Sequence, residues 1–352
     1  MFRKARRLLT IAALLSAIMM TIIGCSSQQQ SPASLKGERP DQVTLNLNWL
    51  PEYPYYWAAL DKGFWAAQNL EVKIIRGYGS GDTITKIATK QAEFGIADLG
   101  TLILAHANEE NIRVKAIANY LVDNPAVIIY RASSNIKVPK DLEGKTVVGA
   151  GANTAYAILW PAFTRAAGID QDKVQWKSVD GGLTDVAFAQ GEGEALSAHA
   201  EDIPGVEELI GEPVKFFSYK DEGKLNCYAD SLITHEDTIS TNPDLVRRFV
   251  AGFLQGIHYC LANPEEVGQI VKKYVPESDP EAIVKSWQAI MANDLIVSEE
   301  SREKGLGWMS HERMIKTIEL ISDAYKLQKE ITPEMIYTTE FMPQKPIFPP
   351  EQ

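Results

Sequence analysis

The sequence predicts an α/β fold built from two lobes. Residues 45–101 alternate β-rich runs, turns that contain glycine or proline, and stretches of helical periodicity. Residues 146–198 repeat the order of strand, glycine-rich turn and helix. The folded part, about 310 residues, exceeds the size that one hydrophobic core usually serves. These three observations together predict two α/β lobes.

The individual elements follow in order from hydrophobic periodicity and from the residues that interrupt it. Leu45 and Leu47 alternate with Asn46 and Asn48, which indicates a strand, and Pro51 breaks the pattern. We predict strands over residues 45–48, 70–75, 94–97, 114–120, 126–131, 146–149, 174–179, 195–198, 214–219 and 232–235. We predict helices over residues 55–67, 82–90, 102–108, 139–144, 153–167, 183–190, 244–262, 264–274, 280–292 and 311–327.

Capping residues refine three of these helix starts. Asp82 or Thr83 is the predicted N-cap of the helix that ends near residue 90, and Asn153 and Thr154 are N-cap residue types before the helix that ends near 167. Asn263-Pro264 predicts a helix start with proline in the first turn.

Two β-rich runs bracket the second series and predict where the chain passes between the lobes. They lie near residues 130–135 and 228–235. We therefore predict a discontinuous lobe made of residues 42–131 and 229–352, and a second lobe made of residues 132–228.

The first 24 residues predict a signal peptide that does not belong to the fold. Four basic residues precede the apolar run 8–23, which is shorter than the roughly 20 residues of a membrane-spanning helix. Gly24-Cys25 ends this run and resembles the lipoprotein pattern of bacteria, which implies cleavage before Cys25 and lipidation of its thiol. Residues 25–41 are polar and predict a flexible tether.

Charge and cysteine content exclude several classes of function. The whole chain carries 35 Lys and Arg against 46 Asp and Glu, and without the four basic leader residues its net charge is about −15, which argues against nucleic acid. No Cys or His cluster has metal-ligand spacing, so we predict no metal and no cofactor. Cys227 and Cys260 remain after Cys25, and the sequence leaves open whether they form a disulfide.

Two loops of the first series fall at the sheet edge where open parallel sheets bind ligands. The loop 49–57 offers aromatic faces and one carboxylate, and residues 79–83 offer close backbone approach and free N–H groups at a helix start. The segment GSGD is neither a dinucleotide fingerprint nor a P-loop, so we predict no nucleotide site.

The order of elements and several local motifs resemble the solute-binding lipoproteins of ABC importers. The resemblance covers about residues 42–343 and is strongest to the nitrate, sulfonate and taurine type, especially its NMT1/THI5-like branch. The motifs that carry it are Asp61-Lys-Gly-Phe64, Gln68-Asn-Leu-Glu-Val72, Ala92-Glu-Phe-Gly-Ile-Ala-Asp98, Pro139-Lys-Asp-Leu-Glu-Gly-Lys145, Gly305-Leu-Gly-Trp-Met309 and Tyr337-Thr-Thr-Glu-Phe-Met-Pro343.

This resemblance implies a periplasmic-binding-protein type II fold with a ligand cleft between the two lobes. It also implies a monomer held on the extracytoplasmic side of a bacterial membrane by its lipid only, with the importer's permease subunits as partners. The candidate ligand-binding residues are Asn48, Trp49, Glu52, Tyr53, Gly79, Ser80, Gly81, Asp82, Thr83, Asp98, Asn153, Thr154, Tyr156, His199, Glu201, Tyr228 and Asp230.

The candidate residues include many carboxylates and few cations, which bears on the ligand. Carboxylates near a bound anion are unfavourable unless they are paired. We therefore expect a small ring-bearing solute with N–H donors, such as a thiamine-pyrimidine precursor, rather than the nitrate, sulfonate or taurine that the family also includes.

Two other functions share the predicted fold. A pyrimidine synthase of the THI5 type is expected to carry a cysteine-rich CCCFC stretch, whereas residues 224–230 hold one cysteine, and a secretion signal does not suit that enzyme. We therefore predict no catalytic activity. A sensor that presents its closed form to a receptor is the other alternative, and identification of binding partners would separate it from transport.

The leader generates the first testable prediction. Cys25→Ala is expected to leave an uncleaved precursor without lipid, because the thiol is the site of acylation. Metabolic labelling with a fatty acid, followed by immunoblotting, measures both effects. Cys260→Ala is the control: position 260 is far from the leader in the sequence, so this variant should incorporate fatty acid like the wild type. A Cys25→Ala protein that is still cleaved and lipidated would refute the assignment.

Overall fold

Two five-stranded sheets with helices packed on their faces form the framework of the protein. The computed structural model describes residues 39–50, 53–152 and 154–351. The predicted signal peptide, most of the predicted tether and Cys25 lie outside these residues, as do Glu52 and Asn153. Residues 40–352 group into one compact unit.

The helices and strands alternate along most of the chain. The strands are β1 (Asp41–Leu47), β2 (Leu70–Arg76), β3 (Phe94–Asp98), β4 (Val114–Asn119), β5 (Ala126–Arg131), β6 (Thr146–Gly149), β7 (Gln175–Ser178), β8 (Ala195–His199), β9 (Val214–Ser218) and β10 (Asp230–His235). The helices are α1 (Pro54–Asp61), α2 (Ser80–Ala88), α3 (Leu99–Asn108), α4 (Ala155–Ala166), α5 (Thr184–Ala189), α6 (Ile203–Ile210), α7 (Glu236–Thr241), α8 (Pro243–Ala262), α9 (Val267–Tyr274), α10 (Pro280–Ala292), α11 (Glu299–Lys304), α12 (His311–Tyr325) and α13 (Pro333–Ile336).

Both sheets have the same mixed topology. The first has the strand order β2-β1-β3-β10-β4, and the second has the order β7-β6-β8-β5-β9. In each sheet one strand runs against its neighbours: β10 pairs antiparallel with β3 and β4, and β5 pairs antiparallel with β8 and β9. The carboxyl ends of β1 and β3 therefore share an edge with the start of β10, and those of β6 and β8 share one with the start of β5.

The sheet pairing bears on the predicted lobe boundaries without testing them. β5 pairs within the second sheet, although the prediction assigned residues 126–131 to the first lobe. The chain leaves the first sheet after β4 and returns at β10. We therefore propose that the crossings lie at residues 120–125 and 219–229, and the division into lobes stays a prediction.

Three helix starts or ends differ from their predicted positions. The N-cap of α2 is Gly79, because the Asp82 carboxylate instead accepts a hydrogen bond from the Tyr78 N–H and pairs with Lys86. α9 begins at Val267 instead of Pro264. The predicted helix over residues 55–67 is shorter, because α1 ends at Asp61 and Gly63 adopts a positive φ of 72°.

The largest hydrophobic cluster packs α1, α8, α9 and α10 against the first sheet. The Phe94 ring of β3 stacks on Phe249 of α8 with ring centroids 3.8 Å apart, and Trp65 stacks on the same ring at 5.0 Å. Cys260 lies in this cluster and Cys227 in another, and both thiols are free. Among the described residues, no helix is both long and apolar enough to cross a membrane.

Gly256 allows α8 to approach α1 closely and generates a stability prediction. A Cβ at position 256 would lie 2.3 Å from the Tyr55 carbonyl oxygen and 2.9 Å from the Ala59 Cβ. Gly256→Ala should therefore lower the free energy of unfolding by about 1–3 kcal/mol through overpacking. Urea denaturation followed by circular dichroism measures this change.

Gly205→Ala in α6 is the matched control, because no atom of the described residues lies within 4 Å of its added Cβ. This substitution should leave stability unchanged or raise it by up to about 1 kcal/mol, owing to the higher helix propensity of alanine. Equal effects of the two substitutions would contradict close packing at Gly256.

Candidate functional site

Loops at the facing edges of the two sheets enclose a cavity of about 270 Å³. From the first sheet, Trp49, Leu50 and Tyr53 follow β1, and from the second sheet, His199 and Glu201 follow β8. The other lining residues are Pro54, Ala150, Tyr156, Gly181, Gly182, Thr184, Asp185, Ser197, Ala198, Asp202, Ile283, Ser286, Trp287 and Ile290. The cavity therefore lies between the sheets and collects residues from many separate chain segments.

A smaller cavity of about 20 Å³ shares part of this wall. Trp49, Tyr156 and His199 line both cavities. The remaining residues around the smaller one are Asn48, Gly79, Ser80, Thr154, Ala155 and Asp230. Its volume is sufficient for about one water molecule or a single polar group of a larger solute.

Glu201 connects the two sides of the larger cavity. Its Oε1 accepts a hydrogen bond from the Tyr53 hydroxyl at 2.9 Å and lies 3.0 Å from His199 Nδ1. The His199 ring in turn packs against Tyr156 with ring centroids 4.7 Å apart. The backbone N–H of His199 donates to Asp202 Oδ2 at 2.9 Å, which fixes the turn after β8.

The close contact between Glu201 and His199 sets their charge states. Burial disfavours a charged imidazole, but the charge and hydrogen bond of Glu201 outweigh burial and raise the pKa of His199 to about 9. Burial likewise acts to raise the pKa of Glu201, but the charged His199 holds that pKa below its ordinary value. At neutral pH His199 therefore donates from Nδ1 to an ionised Glu201.

Asp98 and Asp230 lie opposite each other where β3 pairs with β10. Asp230 Oδ2 accepts hydrogen bonds from Asn48 Nδ2 at 2.9 Å and from the Tyr120 hydroxyl at 3.2 Å. Asp98 caps α3 by accepting from the Thr101 N–H at 2.8 Å. Both carboxyl groups are nearly inaccessible to solvent, with exposed fractions of 2% for Asp98 and 5% for Asp230.

Burial raises the pKa of the carboxyl groups of Asp98, Asp202 and Asp230. It raises the pKa of Asp98 to about 7, with a further contribution from the charge of Asp230. It also raises the pKa of Asp202 to about 7, with a further contribution from Glu201. The pKa of Asp230 rises through burial as well, although the hydrogen bond from Asn48 opposes that rise.

Three buried oxygen atoms at the cavities have no hydrogen-bond partner among the described residues: Ser197 Oγ, Glu201 Oε2 and Asn48 Oδ1. Glu201 and Asn48 are each 5% exposed, and their two oxygen atoms can only accept hydrogen bonds. Because both atoms are acceptors, they are suited to N–H or O–H donors of a ligand. Of the described residues, no lysine or arginine lines either cavity.

Trp49 occupies the wall between the cavities. A Cβ added at Gly181 would lie 3.0 Å from its Cζ2 atom, so the indole edge packs against the turn after β7. The Arg76 guanidinium lies 5.6 Å from the indole centroid. An aromatic ring in this position can stack on a planar ligand.

The structure brings most of the predicted site residues together. Asn48, Trp49, Tyr53, Gly79, Ser80, Thr154, Tyr156, His199, Glu201 and Asp230 line one or both cavities. Asp98 lies behind this wall beside Asp230, and Glu52 and Asn153 fall outside the described residues. Their roles in ligand binding stay predictions.

Gly81, Asp82, Thr83 and Tyr228 lie outside both cavities. Gly81 and Asp82 lie in the first turn of α2, past the residues that face the cavity, and Thr83 accepts a hydrogen bond from Asn46 in the sheet. The Tyr228 hydroxyl donates to Glu300 at 2.6 Å and accepts from the Ser310 N–H at 2.8 Å. These contacts connect Tyr228 to α11 and to the start of α12.

Sequence reasoning missed two parts of the wall. The turn after β7, with Gly181 and Gly182, has the same strand–glycine–helix pattern as the predicted loops and was recognisable from it. The second part is the face of α10 that carries Ile283, Ser286, Trp287 and Ile290. The sequence did not indicate a ligand site there, because an apolar stripe on a helix also arises from ordinary packing.

Comparisons with known proteins agree with this architecture. Residues 51–267 match the family model described as NMT1/THI5 like. The chain is 26% identical to the riboflavin-binding protein RibY of Chloroflexus aurantiacus, over 96% of this chain and 98% of that protein.

Two solved structures show the fold. The alkanesulfonate-binding protein SsuA of Xanthomonas axonopodis pv. citri, bound to MOPS, superposes with a TM-score of 0.64 at 9% identity, covering 86% of this chain and 99% of SsuA. A Candida albicans protein described as having the generic periplasmic binding protein fold gives a TM-score of 0.60 at 12% identity, covering 85% and 96%. The chain therefore has the periplasmic-binding-protein fold, as the sequence predicted.

The buried carboxyl groups generate a pH prediction. A carboxyl group whose pKa is raised on folding binds more protons in the native state, so stability falls as pH rises from the unfolded pKa to the folded one. For Asp98 that window runs from the ordinary aspartate pKa of 3.8 to about 7. The raised pKa of His199 adds a further loss of stability between its ordinary pKa of 6.5 and its folded pKa of about 9. The contributions of Asp98 and His199 to the free energy of unfolding should therefore decrease between pH 5 and pH 9.

Asp98→Asn should flatten this dependence between pH 5 and pH 7, because asparagine can still cap α3 but does not titrate. Urea denaturation at several pH values measures the slope. Asp170→Asn is the control at an exposed N-cap: its hydrogen bond with Lys173 holds the Asp170 pKa below the ordinary value, so the slope should match the wild type. A wild-type slope in Asp98→Asn would show that Asp98 does not titrate in this range.

Proposed function

This chain belongs to the NMT1/THI5-like family, and we propose that it is the solute-binding component of an ABC importer. In this proposal the protein is a monomer, anchored outside the cytoplasmic membrane by a lipid on Cys25, and it delivers its solute to the permease subunits. The solute is a small, neutral or cationic heterocycle that carries N–H donors. Closure of the two sheets around the solute is the associated motion.

The observation that carries this proposal is the buried Glu201 Oε2, which has no hydrogen-bond partner among the described residues. A buried acceptor without a partner is costly, and a donor supplied by a ligand removes that cost. Since His199 and Tyr53 occupy Oε1, Glu201 is held in place while Oε2 remains available. Trp49 lines the same cavity and offers an aromatic face.

The cavity size favours a single small ring. Its volume of about 270 Å³ lies just below the roughly 300–1,000 Å³ found for drug-sized ligands. An aminopyrimidine, such as a thiamine-pyrimidine precursor, has a planar ring and N–H donors and suits both the size and the acceptors.

Riboflavin is a second candidate, and the similarity to RibY across nearly the whole chain favours it. Its isoalloxazine includes a pyrimidine ring with an imide N–H, so it presents the same kind of donor to Glu201. It is larger than a single pyrimidine and would require a more open cavity.

A small anion such as nitrate or a sulfonate fits the site less well. Glu201, Asp202 and Asp230 line the cavities, whereas His199 is the cationic side chain among the described lining residues. Binding an anion beside these carboxylates would require them to be protonated or displaced.

The environment of Cys227 supports a binding role over the THI5-type pyrimidine synthase, whose cysteine-rich stretch the resemblance associates with iron binding. Its thiol is buried, and burial raises its pKa to about 12. A protonated thiol is neither a good nucleophile nor a good metal ligand.

A thermal-shift panel with the purified full-length chain tests the proposal. 4-Amino-2-methylpyrimidine or riboflavin should raise the melting temperature, because a ligand at 100 times its Kd stabilises the native state by about 2.7 kcal/mol. Mass spectrometry of the eluted ligand should show it chemically unchanged. Stabilisation only by nitrate or ethanesulfonate, or turnover of the pyrimidine, would refute the proposal.

Trp49→Ala should weaken binding of the pyrimidine or flavin at least tenfold, which corresponds to about 1.4 kcal/mol, because stacking and burial of the ring are lost. The melting temperature of the empty protein should change little, since Trp49 lies in the cavity wall. Isothermal titration calorimetry and thermal unfolding of the same variant measure the two effects.

Trp65→Ala is the matched control, because Trp65 is 1% exposed and stacks on Phe249 in the core. It should lower the free energy of unfolding by about 3–5 kcal/mol. A similar stability loss in Trp49→Ala, with affinity unchanged, would assign Trp49 to packing instead of stacking on the solute.

A further inference from the structure

The smaller cavity is where two helix N-termini meet one carboxylate, and we propose that Asp230 sets the charge selectivity of the site by excluding anionic solutes. The inference rests on the proposed function, because it concerns which solutes that same site accepts. It assigns to Asp230 a role in specificity that does not require Asp230 to contribute to affinity.

The two helices approach the cavity from opposite sheets. Gly79 and Ser80 form the start of α2, and Thr154 and Ala155 form the start of α4. Neither N-cap side chain closes its own helix end: Gly79 has no side chain, and the Thr154 hydroxyl donates to the Gly151 carbonyl at 2.8 Å. The N–H groups that point out of a helix start and the helix dipole make such ends attractive to anions.

Asp230 places a negative charge of the protein itself at this position. It lines the smaller cavity and is 5% exposed, so little solvent screens it. Two donors, Asn48 Nδ2 and the Tyr120 hydroxyl, hold its Oδ2. The anionic group of a solute that reached the two helix N-termini would therefore lie beside the Asp230 carboxylate, where like charges repel strongly.

The surrounding charges do not compensate for this repulsion. Asp98 lies opposite Asp230 in the sheet, and Glu201 and Asp202 follow β8. His199 is already paired with Glu201. The Arg76 guanidinium lies over the Trp49 ring, and Arg76 is not one of the residues that line either cavity.

The orientation of Asn48 points to the kind of group that is accepted instead. Because Asn48 Nδ2 donates to Asp230, the amide leaves its Oδ1 as a buried acceptor without a partner among the described residues. Asp230 therefore acts twice: its charge opposes anions, and its hydrogen bond turns the Asn48 amide so that it accepts a donor. A solute with an N–H group satisfies Asn48 Oδ1, whereas a sulfonate, which has only acceptors, does not.

Asp230→Asn tests this assignment with ethanesulfonate as the anionic probe. The substitution keeps the size of the side chain and removes the charge. We expect the full-length variant to bind ethanesulfonate at least tenfold more tightly than the wild type, measured by isothermal titration calorimetry. A folded variant with no gain would overturn the proposal.

Asp98→Asn is the matched control, because it removes a neighbouring buried carboxyl group from a residue that lines neither cavity. It should gain less than threefold in affinity for ethanesulfonate. An equal gain in both variants would overturn the specific role of Asp230 in favour of the net charge of the region. Circular dichroism and thermal unfolding verify the fold, and Asp230→Ser, judged by the same tenfold criterion, replaces Asp230→Asn if the latter does not fold.

The test of Asp230 can be distinguished from a failure of the proposed function. Wild-type binding of 4-amino-2-methylpyrimidine or riboflavin is measured independently, and the gain of ethanesulfonate binding is read without either heterocycle. Absence of heterocycle binding would refute the proposed solute class, and absence of the gain would refute the role of Asp230.

Discussion

The need to bury several carboxyl groups together constrains the centre of this structure. Asp98, Asp230 and Glu201 are each at most 5% exposed, and charged groups at such sites are unfavourable unless they are hydrogen-bonded or paired. Each carboxyl group has its own hydrogen-bond partners. Asp98 caps α3, Asp230 accepts hydrogen bonds from Asn48 and Tyr120, and Glu201 pairs with His199. The loops that follow the strands must therefore hold these donors in place, which also shapes the cavity walls.

Contacts across the cavity connect the two sheets through the same groups. Tyr53, which follows β1, donates to Glu201, which follows β8. The helix α10 belongs to the core of the first sheet and also contacts the 3₁₀ turn Ala200–Asp202. A change in the position of Glu201 would therefore alter contacts to both sheets. This connection gives a physical basis for linking solute binding to the relative position of the sheets.

Local sequence signals predicted most of the elements, and the wrong N-cap prediction has a local cause. The strands and α10 lie close to the predicted ranges, because periodicity and turn residues act over a few positions. The predicted N-cap of α2 was wrong, because the Asp82 carboxylate accepts a hydrogen bond from the Tyr78 N–H and pairs with Lys86 instead. β5 pairs within the second sheet, and no residue within the strand itself specifies that choice of partner.

The sequence by itself determined the α/β class, the repeated strand–turn–helix units and the loops that carry Trp49, Tyr53 and His199, because these depend on residues close together in the chain. Only the tertiary structure decided which of those side chains share a cavity. Asn48 and Asp230 are 182 residues apart, yet their hydrogen bond fixes which atom of the amide remains available. The raised pKa of Asp98 likewise arises from burial and from Asp230. Burial and partnership are properties of the packed chain, so no local pattern in the sequence encodes them.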